Sequence, residues 1–273
     1  MLAGIDIGGT KISIGVAKSP KNIQAQKVIP TPPNQTQALH LMLQTIRELA
    51  GNNRIHSLGI SSPGPIDTKD GLILSPRHIP WRNVQICRYF KSNLGCLTSI
   101  NHDATLGGVA EARMGAGKGQ NTLLYVTIST GIGSAIIING KPMQARFNSE
   151  GGWQIVQFRP FPPQQYHSIA SGGAIKKQYG KVAAEITSKS TWENIAKNIS
   201  VGLFNLITIV QPDIVVLGGG VSVHFKHFST PLQMYLQKYN SLYPLPPIKK
   251  AKFVETAPLI GALIMAKDEL TVR

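Results

Sequence analysis

Three glycine-rich turns could hold an anion: Gly8-Gly9-Thr10, Thr130-Gly131-Ile132-Gly133 and Gly218-Gly219-Gly220. Each follows an apolar stretch that reads as a strand. Glycine lets successive backbone N–H groups come close to a phosphate, and a threonine hydroxyl adds a donor. A tight turn needs glycine in any case, so one such turn says little. Three at strand ends, two of them in similar settings, point to a nucleotide-phosphate site. None spells the Gly-x-x-x-x-Gly-Lys-Ser/Thr P-loop, and none is a Gly-x-Gly-x-x-Gly opening a helix. A dinucleotide-binding Rossmann site is therefore disfavoured.

Two carboxylates stand near such features. Asp6 ends an apolar strand just before Gly8-Gly9. A carboxylate there is costly unless paired or near a cation. It either holds Mg²⁺ through water beside nucleotide phosphates or caps its own turn, and spacing alone leaves both open. Asp103 follows Leu97-Thr98-Ser99-Ile100-Asn101-His102 at a strand-to-helix junction. It could be a general base; on spacing alone the N-cap of the following helix is the stronger reading.

The elements that must carry these residues alternate. Leu2 to Ala17 reads as a hairpin bent at Gly8-Gly9. Thr36 to Ala50 has helical periodicity in Leu39, Met42, Leu43, Ile46 and Leu49 and is stopped by Gly51. Ser57–Ser61 and Leu97–Asn101 read as strands, and Gln85–Asn93 and Ala104–Met114 as helices. Leu123 to Asn139 repeats the opening theme of strand, turn, strand: Ile128-Ser129-Thr130-Gly131-Ile132-Gly133 lies beside Ile5-Asp6-Ile7-Gly8-Gly9-Thr10 as a weak internal repeat. That repeat implies two related α/β lobes facing each other. Phe158 to Gln165, with Pro160, Pro162 and Pro163, reads as a loop. Ile169–Tyr179, Trp192–Ile209, Leu232–Tyr239 and Ala257–Asp268 read as helices, and Asp213–Leu217 as a buried strand. Pro244-Leu245-Pro246-Pro247 is a loop. The alternation argues for an α/β class.

Composition bounds the rest. The 273 residues suffice for one large or two ordinary domains and for a sizeable core. No apolar run approaches the roughly 20 residues of a membrane span, and Met1-Leu2-Ala3-Gly4-Ile5-Asp6 carries no secretory signal. Two cysteines, Cys87 and Cys96, rule out a disulfide scaffold and a thiolate zinc site built from this chain alone. A reducing cytoplasm is the expected compartment. The net charge of +15 suits nucleic acid, a polyanionic substrate or an anionic surface, or simply a solvated basic exterior. The lysines are scattered without a block of five, which favours the exterior.

Taken together, Asp6-Ile7-Gly8-Gly9-Thr10-Lys11, Pro63-Gly64, Asp103-Ala104, Ala110-Glu111-Ala112-Arg113-Met114-Gly115-Ala116-Gly117, Thr130-Gly131-Ile132-Gly133 and Val216-Leu217-Gly218-Gly219-Gly220-Val221 resemble the ROK family. That family comprises sugar kinases and sugar-responsive regulators of the actin-like, hexokinase-like superfamily. The motifs occur in family order over nearly the whole chain. The resemblance implies a two-lobed actin-like ATPase (ribonuclease H-like) α/β fold with the active-site cleft between the lobes. The N-terminal lobe would span residues 1–101, joined by a C-terminal helix at 258–273, and the C-terminal lobe residues 102–257. It implies that Gly8, Gly9, Thr10 and Lys11 line the ATP phosphates and that Asp6 lies near Mg²⁺. Thr130 and Gly131 would form a second phosphate turn, with Gly218 and Gly219 beside the nucleoside. Asp103 would take the proton from the sugar hydroxyl, and Pro63, Gly64 and Glu150 would lie against the sugar.

Several positions depart from the family pattern. His102 stands in place of the usual Asn before the base. Glu150-Gly151-Gly152-Trp153 lacks the histidine of Glu-x-Gly-His, and a Pro-rich stretch replaces the cysteine-rich zinc motif. His167 stands where the family places a sugar-contacting Glu, and Arg77 where it often has Asn. The expectation is therefore no structural zinc and a rewritten sugar pocket, with His102, His167 and a stacking Trp153 as sugar contacts. The resemblance implies an ATP- and Mg²⁺-dependent hexose kinase acting at a glucose-like 6-hydroxyl, working as a homodimer. A polyphosphate-using glucokinase and a non-catalytic sugar-binding regulator are the alternatives. Family repressors carry an N-terminal helix-turn-helix. Here the phosphate hairpin begins at Ile5, so the expectation is no nucleic-acid partner and no membrane partner.

Overall fold

The computed structural model describes residues 1–76, 78–144, 148–159, 161–240 and 243–271. Arg77 and Pro160 of the sequence reading lie outside the described residues. The chain divides into two compact units, residues 1–110 with 256–273 and residues 111–255.

The first unit is built on β1 (Leu2–Ile7), β2 (Lys11–Ser19), β3 (Asn22–Pro30), α1 (Gln35–Ala50), β4 (Ser57–Ser62), the small hairpin β5 (Ile66–Asp67) and β6 (Leu72–Ile73), α2 (Ile86–Leu94) and β7 (Leu97–His102). Its sheet runs β3-β2-β1-β4-β7, with an antiparallel meander on one side and parallel β1, β4 and β7 on the other. Alternation along β1 sends Ala3, Ile5 and Ile7 into a core shared with Met42 and Ile46 of α1 and Phe90 of α2. Asn34 caps α1 by accepting the Gln37 N–H at 3.0 Å. The sequence reading has no counterpart to β3: most of its residues are exposed, so no apolar alternation marks it.

Helix α3 (Asp103–Met114) carries the chain into the second unit. There follow β8 (Thr122–Ile128), β9 (Ile132–Ile138), β10 (Lys141–Pro142), β11 (Ile155–Gln157), β12 (Gln164–Gln165), α4 (Tyr166–Ala170), α5 (Gly172–Tyr179), α6 (Lys189–Val210), β13 (Ile214–Gly218), α7 (Phe225–Tyr239) and β14 (Ile248–Lys250). The sheet order β10-β9-β8-β13-β14 repeats that of the first unit, a meander followed by parallel strands. The weak repeat at Ile5 and Ile128 thus marks two units of like topology. Helix α8 (Ala257–Thr271) belongs to the first unit and packs on β1, β4 and β7. Gly59 of β4 makes that packing close, since a Cβ there would stand 1.9 Å from the Ala262 carbonyl oxygen.

Three expectations are corrected. The helix expected over Ile169–Tyr179 is two helices, broken at Ser171, whose hydroxyl accepts the Ala174 N–H to start α5. The stretch Phe158–Gln165 is not all loop: Gln164 and Gln165 pair with Gln157 and Ile155. The helix expected from Leu232 begins at Phe225 and runs through Pro231, with Phe228 and Leu232 buried on one face. That buried face outweighs the hydrogen bond that proline cannot donate.

Candidate functional site

The polar residues of the first unit gather at the carboxyl ends of its parallel strands, the edge where open α/β sheets bind ligands. Register sets them in rows: Asp6 pairs with Ser61, Ser61 with Asn101, and Ser62 with His102. Ser61 Oγ donates to Asp6 Oδ1 at 2.8 Å. Burial pushes the Asp6 carboxyl up to about 7; Ser61 and the Lys11 charge oppose that rise, and the negative charge of Asp103 adds to it. Asp6 and Asp103 therefore sense each other electrostatically.

Asp103 is the first residue of α3, directly after β7. It stands at the positive end of the helix dipole. Its Oδ1 accepts the Ala104 N–H at 2.6 Å and lies 3.2 Å from His102 Nδ1. The N-cap reading, which needs the side chain to reach two or three residues ahead, does not describe this contact. The Asp103 side chain is 38% exposed, open enough to meet a substrate.

The Gly8–Lys11 turn is closed by the Gly8 N–H donating to the Lys11 carbonyl at 2.9 Å, and Thr31 Oγ1 donates to the Gly8 carbonyl at 2.8 Å. Half-buried Gly8 and exposed Gly9 and Thr10 form the rim between β1 and β2, with Lys11 exposed at the start of β2. A Cβ at Gly8 would stand 2.9 Å from the Lys11 carbonyl oxygen. Pro63 and Gly64 follow β4 directly, at the same sheet edge. Pro63 is anchored by Ser62 Oγ donating to its carbonyl at 3.1 Å.

In the second unit, Thr130 and Gly131 lie in the exposed turn between β8 and β9. The turn is braced by α5: Gly172 N–H donates to the Ser129 carbonyl at 2.7 Å and Gly173 N–H to the Thr130 carbonyl at 3.2 Å. Gly218 ends β13 against Tyr125, where a Cβ would meet the phenol oxygen at 2.1 Å. Gly219 has φ +81°, and a Cβ there would stand 2.5 Å from the Ile128 carbonyl oxygen. Glycine is required at both. Glu150, Trp153 and His167 come together in this unit. Glu150 precedes a 3-10 turn over Gly151–Trp153. The Trp153 and His167 rings meet edge to face at 5.2 Å, and His167 Nδ1 lies 3.1 Å from the Gly152 carbonyl.

Sequence reasoning missed several groups. Ser61 and Ser134 are small polar residues inside apolar strands, and nothing local marks them. Ser134 Oγ lies 2.8 Å from Ser149 Oγ and accepts the Gly151 N–H at 2.9 Å, which seats the Glu150 turn. Glu111, quoted only as part of a motif, is fully buried. Its carboxylate accepts three backbone N–H groups, from Ala116 at 2.7 Å, Lys252 at 3.0 Å and Phe253 at 2.7 Å.

Among the described residues, no group of three or more His, Cys, Asp or Glu gathers as a metal-binding set, and no helix is long and apolar enough to cross a membrane. Asp6 nonetheless fits a Mg²⁺ that keeps most of its ligands as water and phosphate: it is an oxygen donor, held by one hydroxyl, in a place where a nearby cation would relieve a buried charge.

The model of the ROK family matches residues 2–269. A fructokinase of Zymomonas mobilis is 30% identical over 80% of this chain and 78% of its own length. An inorganic polyphosphate/ATP-glucomannokinase from Arthrobacter sp. strain KM superposes with a TM-score of 0.74 at 26% identity, over 98% of both chains. A ROK family glucokinase from Streptomyces griseus, solved with glucose and AMPPNP, superposes with a TM-score of 0.84 at 23% identity, over 98% of this chain and 99% of its own.

Proposed function

Because the chain belongs to the ROK family, we propose that it is a sugar kinase that transfers the γ-phosphoryl group of ATP to a hexose hydroxyl, glucose-like at the 6-position, with Asp103 as general base. The observation that carries the reading is Asp103 itself: a half-exposed carboxylate at the carboxyl end of a parallel strand, with one oxygen already hydrogen-bonded. The fructokinase, glucomannokinase and glucokinase relatives support a sugar acceptor, and the glucomannokinase an ATP donor.

Phosphoryl transfer asks the protein mainly to position and to stabilise charge. Asp103 accepts the hydroxyl proton as the sugar oxygen attacks phosphorus, a role worth about 10²–10⁴-fold. The Gly9 and Thr10 amides and the Lys11 ammonium would bind the donor phosphates in the first unit, on a turn that Gly8 closes by donating its own N–H to the Lys11 carbonyl, and Thr130 and Gly131 would offer a second phosphate turn in the second. Gly218 and Gly219 are the proposed nucleoside contacts, on a turn whose glycines are needed for packing against Tyr125 and Ile128. Asp6 would hold Mg²⁺ through water, and the ion would supply charge neutralisation at the phosphates. Pro63, Gly64, His102, Glu150, Trp153 and His167 are the proposed sugar contacts. Glu150 can accept hydrogen bonds from two adjacent hydroxyls, and Trp153 offers an apolar face. The expected setting is cytoplasmic and the expected assembly a homodimer.

The test is coupled ADP release with Mg-ATP across a panel of hexoses and N-acetylhexosamines, with Asp103→Asn alongside. Sugar-dependent turnover that Asp103→Asn removes supports the reading, and retained turnover in that variant defeats the assignment of the base. The net charge of +15 favours a second reading of the donor, polyphosphate in place of ATP. Turnover with polyphosphate that falls steeply with salt supports it, and failure to use polyphosphate at low salt dismisses it.

A further inference from the structure

Gln154 closes the 3-10 turn over Gly151–Trp153, directly after Trp153 and on the far side of the turn from Glu150. Its half-buried side-chain amide is engaged on three sides. Nε2 donates to the Gly151 carbonyl at 2.9 Å, within the turn, and to the Gly202 carbonyl at 3.1 Å, on α6. Oε1 accepts from Asn205 Nδ2 at 3.0 Å, also on α6 and 51 positions along the chain. One amide orientation satisfies this set, since both carbonyls can only accept and the Asn205 nitrogen can only donate. Neither carbonyl depends on the amide: the Gly151 oxygen also accepts the Gln154 backbone N–H at 3.4 Å, and Gly202 lies within the hydrogen-bonded ladder of α6. What the amide adds is a tie between a short turn and a 22-residue helix anchored by buried Trp192, Ile195, Ile199 and Leu203.

We infer that Gln154 is a positioning residue for sugar binding: its amide pins the turn between Glu150 and Trp153 to α6, and Asn205 holds the amide in the orientation that does so. The inference rests on the reading of Glu150 and Trp153 as sugar contacts. Ser134 secures the Gly151 N–H from β9, and His167 meets the Gly152 carbonyl from α4. Gln154 supplies the third direction, from α6, without which the turn can pivot on the other two. Both N–H groups of its amide are committed to protein, which leaves neither for a substrate. Its effect on sugar therefore runs through the placement of its neighbours. A turn that drifts weakens sugar binding first, since the proposed base and donor turns stand on other elements, and a misplacement of about 1 Å is enough to matter.

The experiment measures coupled ADP release by the full chain with Mg-ATP and the hexose that turns over best. It compares the wild type with Gln154→Met, Gln154→Glu, Asn205→Ala, the Gln154→Met/Asn205→Ala double variant and Glu150→Ala. Methionine keeps the volume and removes the amide, whereas glutamate keeps the acceptor for Asn205 and sets an oxygen against both carbonyls. The expected result is a sugar KM raised about 5- to 20-fold in Gln154→Met and Gln154→Glu, with kcat within about threefold and Tm within about 3 °C of the wild type. Asn205 is exposed and alanine suits a helix, so Asn205→Ala is expected to raise the sugar KM about 2- to 5-fold with no loss of Tm. Because Asn205 acts through Gln154, the double variant is expected to match Gln154→Met alone. A sugar KM unchanged in Gln154→Met, beside a Glu150→Ala that impairs sugar use, overturns this inference alone. So does a wild-type KM in Gln154→Glu, or single effects that multiply in the double variant. If Gln154→Met fails to fold, Asn205→Ala decides by the same measure. A sugar KM unchanged in Glu150→Ala, or no turnover in the wild type with every sugar and donor, defeats the reading of the sugar turn and this inference with it.

Discussion

Ser61 and Asp6 stand side by side on parallel strands β4 and β1, and the serine hydroxyl donates to the carboxylate at 2.8 Å. One neutral hydroxyl does not offset the loss of water around that carboxylate, and the nearby charge of Asp103 works against it, so its pKa is pushed up to about 7.

The sign of the resulting pH dependence follows. The unfolded chain releases the Asp6 proton near its ordinary value of 3.8, the folded chain only near 7. Between those values the native state binds more protons, so the contribution of Asp6 is present below about pH 4 and is lost as the pH rises toward 7. In urea unfolding without Mg²⁺, Asp6→Asn is expected to remove this decline and to exceed the wild type at pH 8 by about 1–3 kcal/mol. Parallel pH profiles for the two proteins would show that Asp6 carries no such cost.

Glu111 ties residues far apart in the chain through three backbone N–H groups in a fully buried place. Glu111→Ala leaves all three donors without an acceptor and is expected to lower unfolding stability by at least about 2 kcal/mol. Denaturant titration with an unchanged m-value measures it, and a loss below about 0.5 kcal/mol would contradict the clasp.

Adjacent glycines give an internal comparison. Gly219 has φ +81° and would drive a Cβ to 2.5 Å from a carbonyl oxygen, whereas Gly220 has nothing within 4 Å. Gly219→Ala is expected to cost more than about 2 kcal/mol, and Gly220→Ala less than about 1 kcal/mol. Equal thermal shifts for the two would mean that the turn relaxes freely.

Trp153 is 42% exposed while its ring meets His167 at 5.2 Å. A half-exposed indole adds little to stability, so Trp153→Ala is expected to shift unfolding by less than about 1 kcal/mol. If the ring stacks on the sugar, the sugar KM rises about 5- to 10-fold, in line with an aromatic contact of roughly 1 kcal/mol. A Tm drop of many degrees with an unchanged KM would make Trp153 a packing residue.

Much of the architecture was legible because its signals are local. Gly8-Gly9 breaks two apolar runs into β1 and β2, and the periodicity from Leu39 to Leu49 marks α1. The elements that escaped lack such signals. β3 is solvated along most of its length, Ser171 splits a continuous helical pattern with a cap, and the helix read from Leu232 starts at Phe225 because buried Phe228 holds the turn ahead of Pro231.

The sequence by itself carried the α/β class, the glycine turns and the motifs that mark the family, since each rests on residue type and spacing; Asp103 as the base came from that family resemblance, because spacing alone favoured an N-cap. The tertiary structure decided what meets what. Ser61 reaches Asp6 across 55 positions, Glu111 reaches Lys252 across 141, and His167 finds Gly152 across 15. Even for neighbours, the sequence places His102 beside Asp103 without saying which carboxylate oxygen the imidazole faces. Strand register and helix start fix that direction, because a side chain's orientation is set by the backbone it stands on and the packing around it.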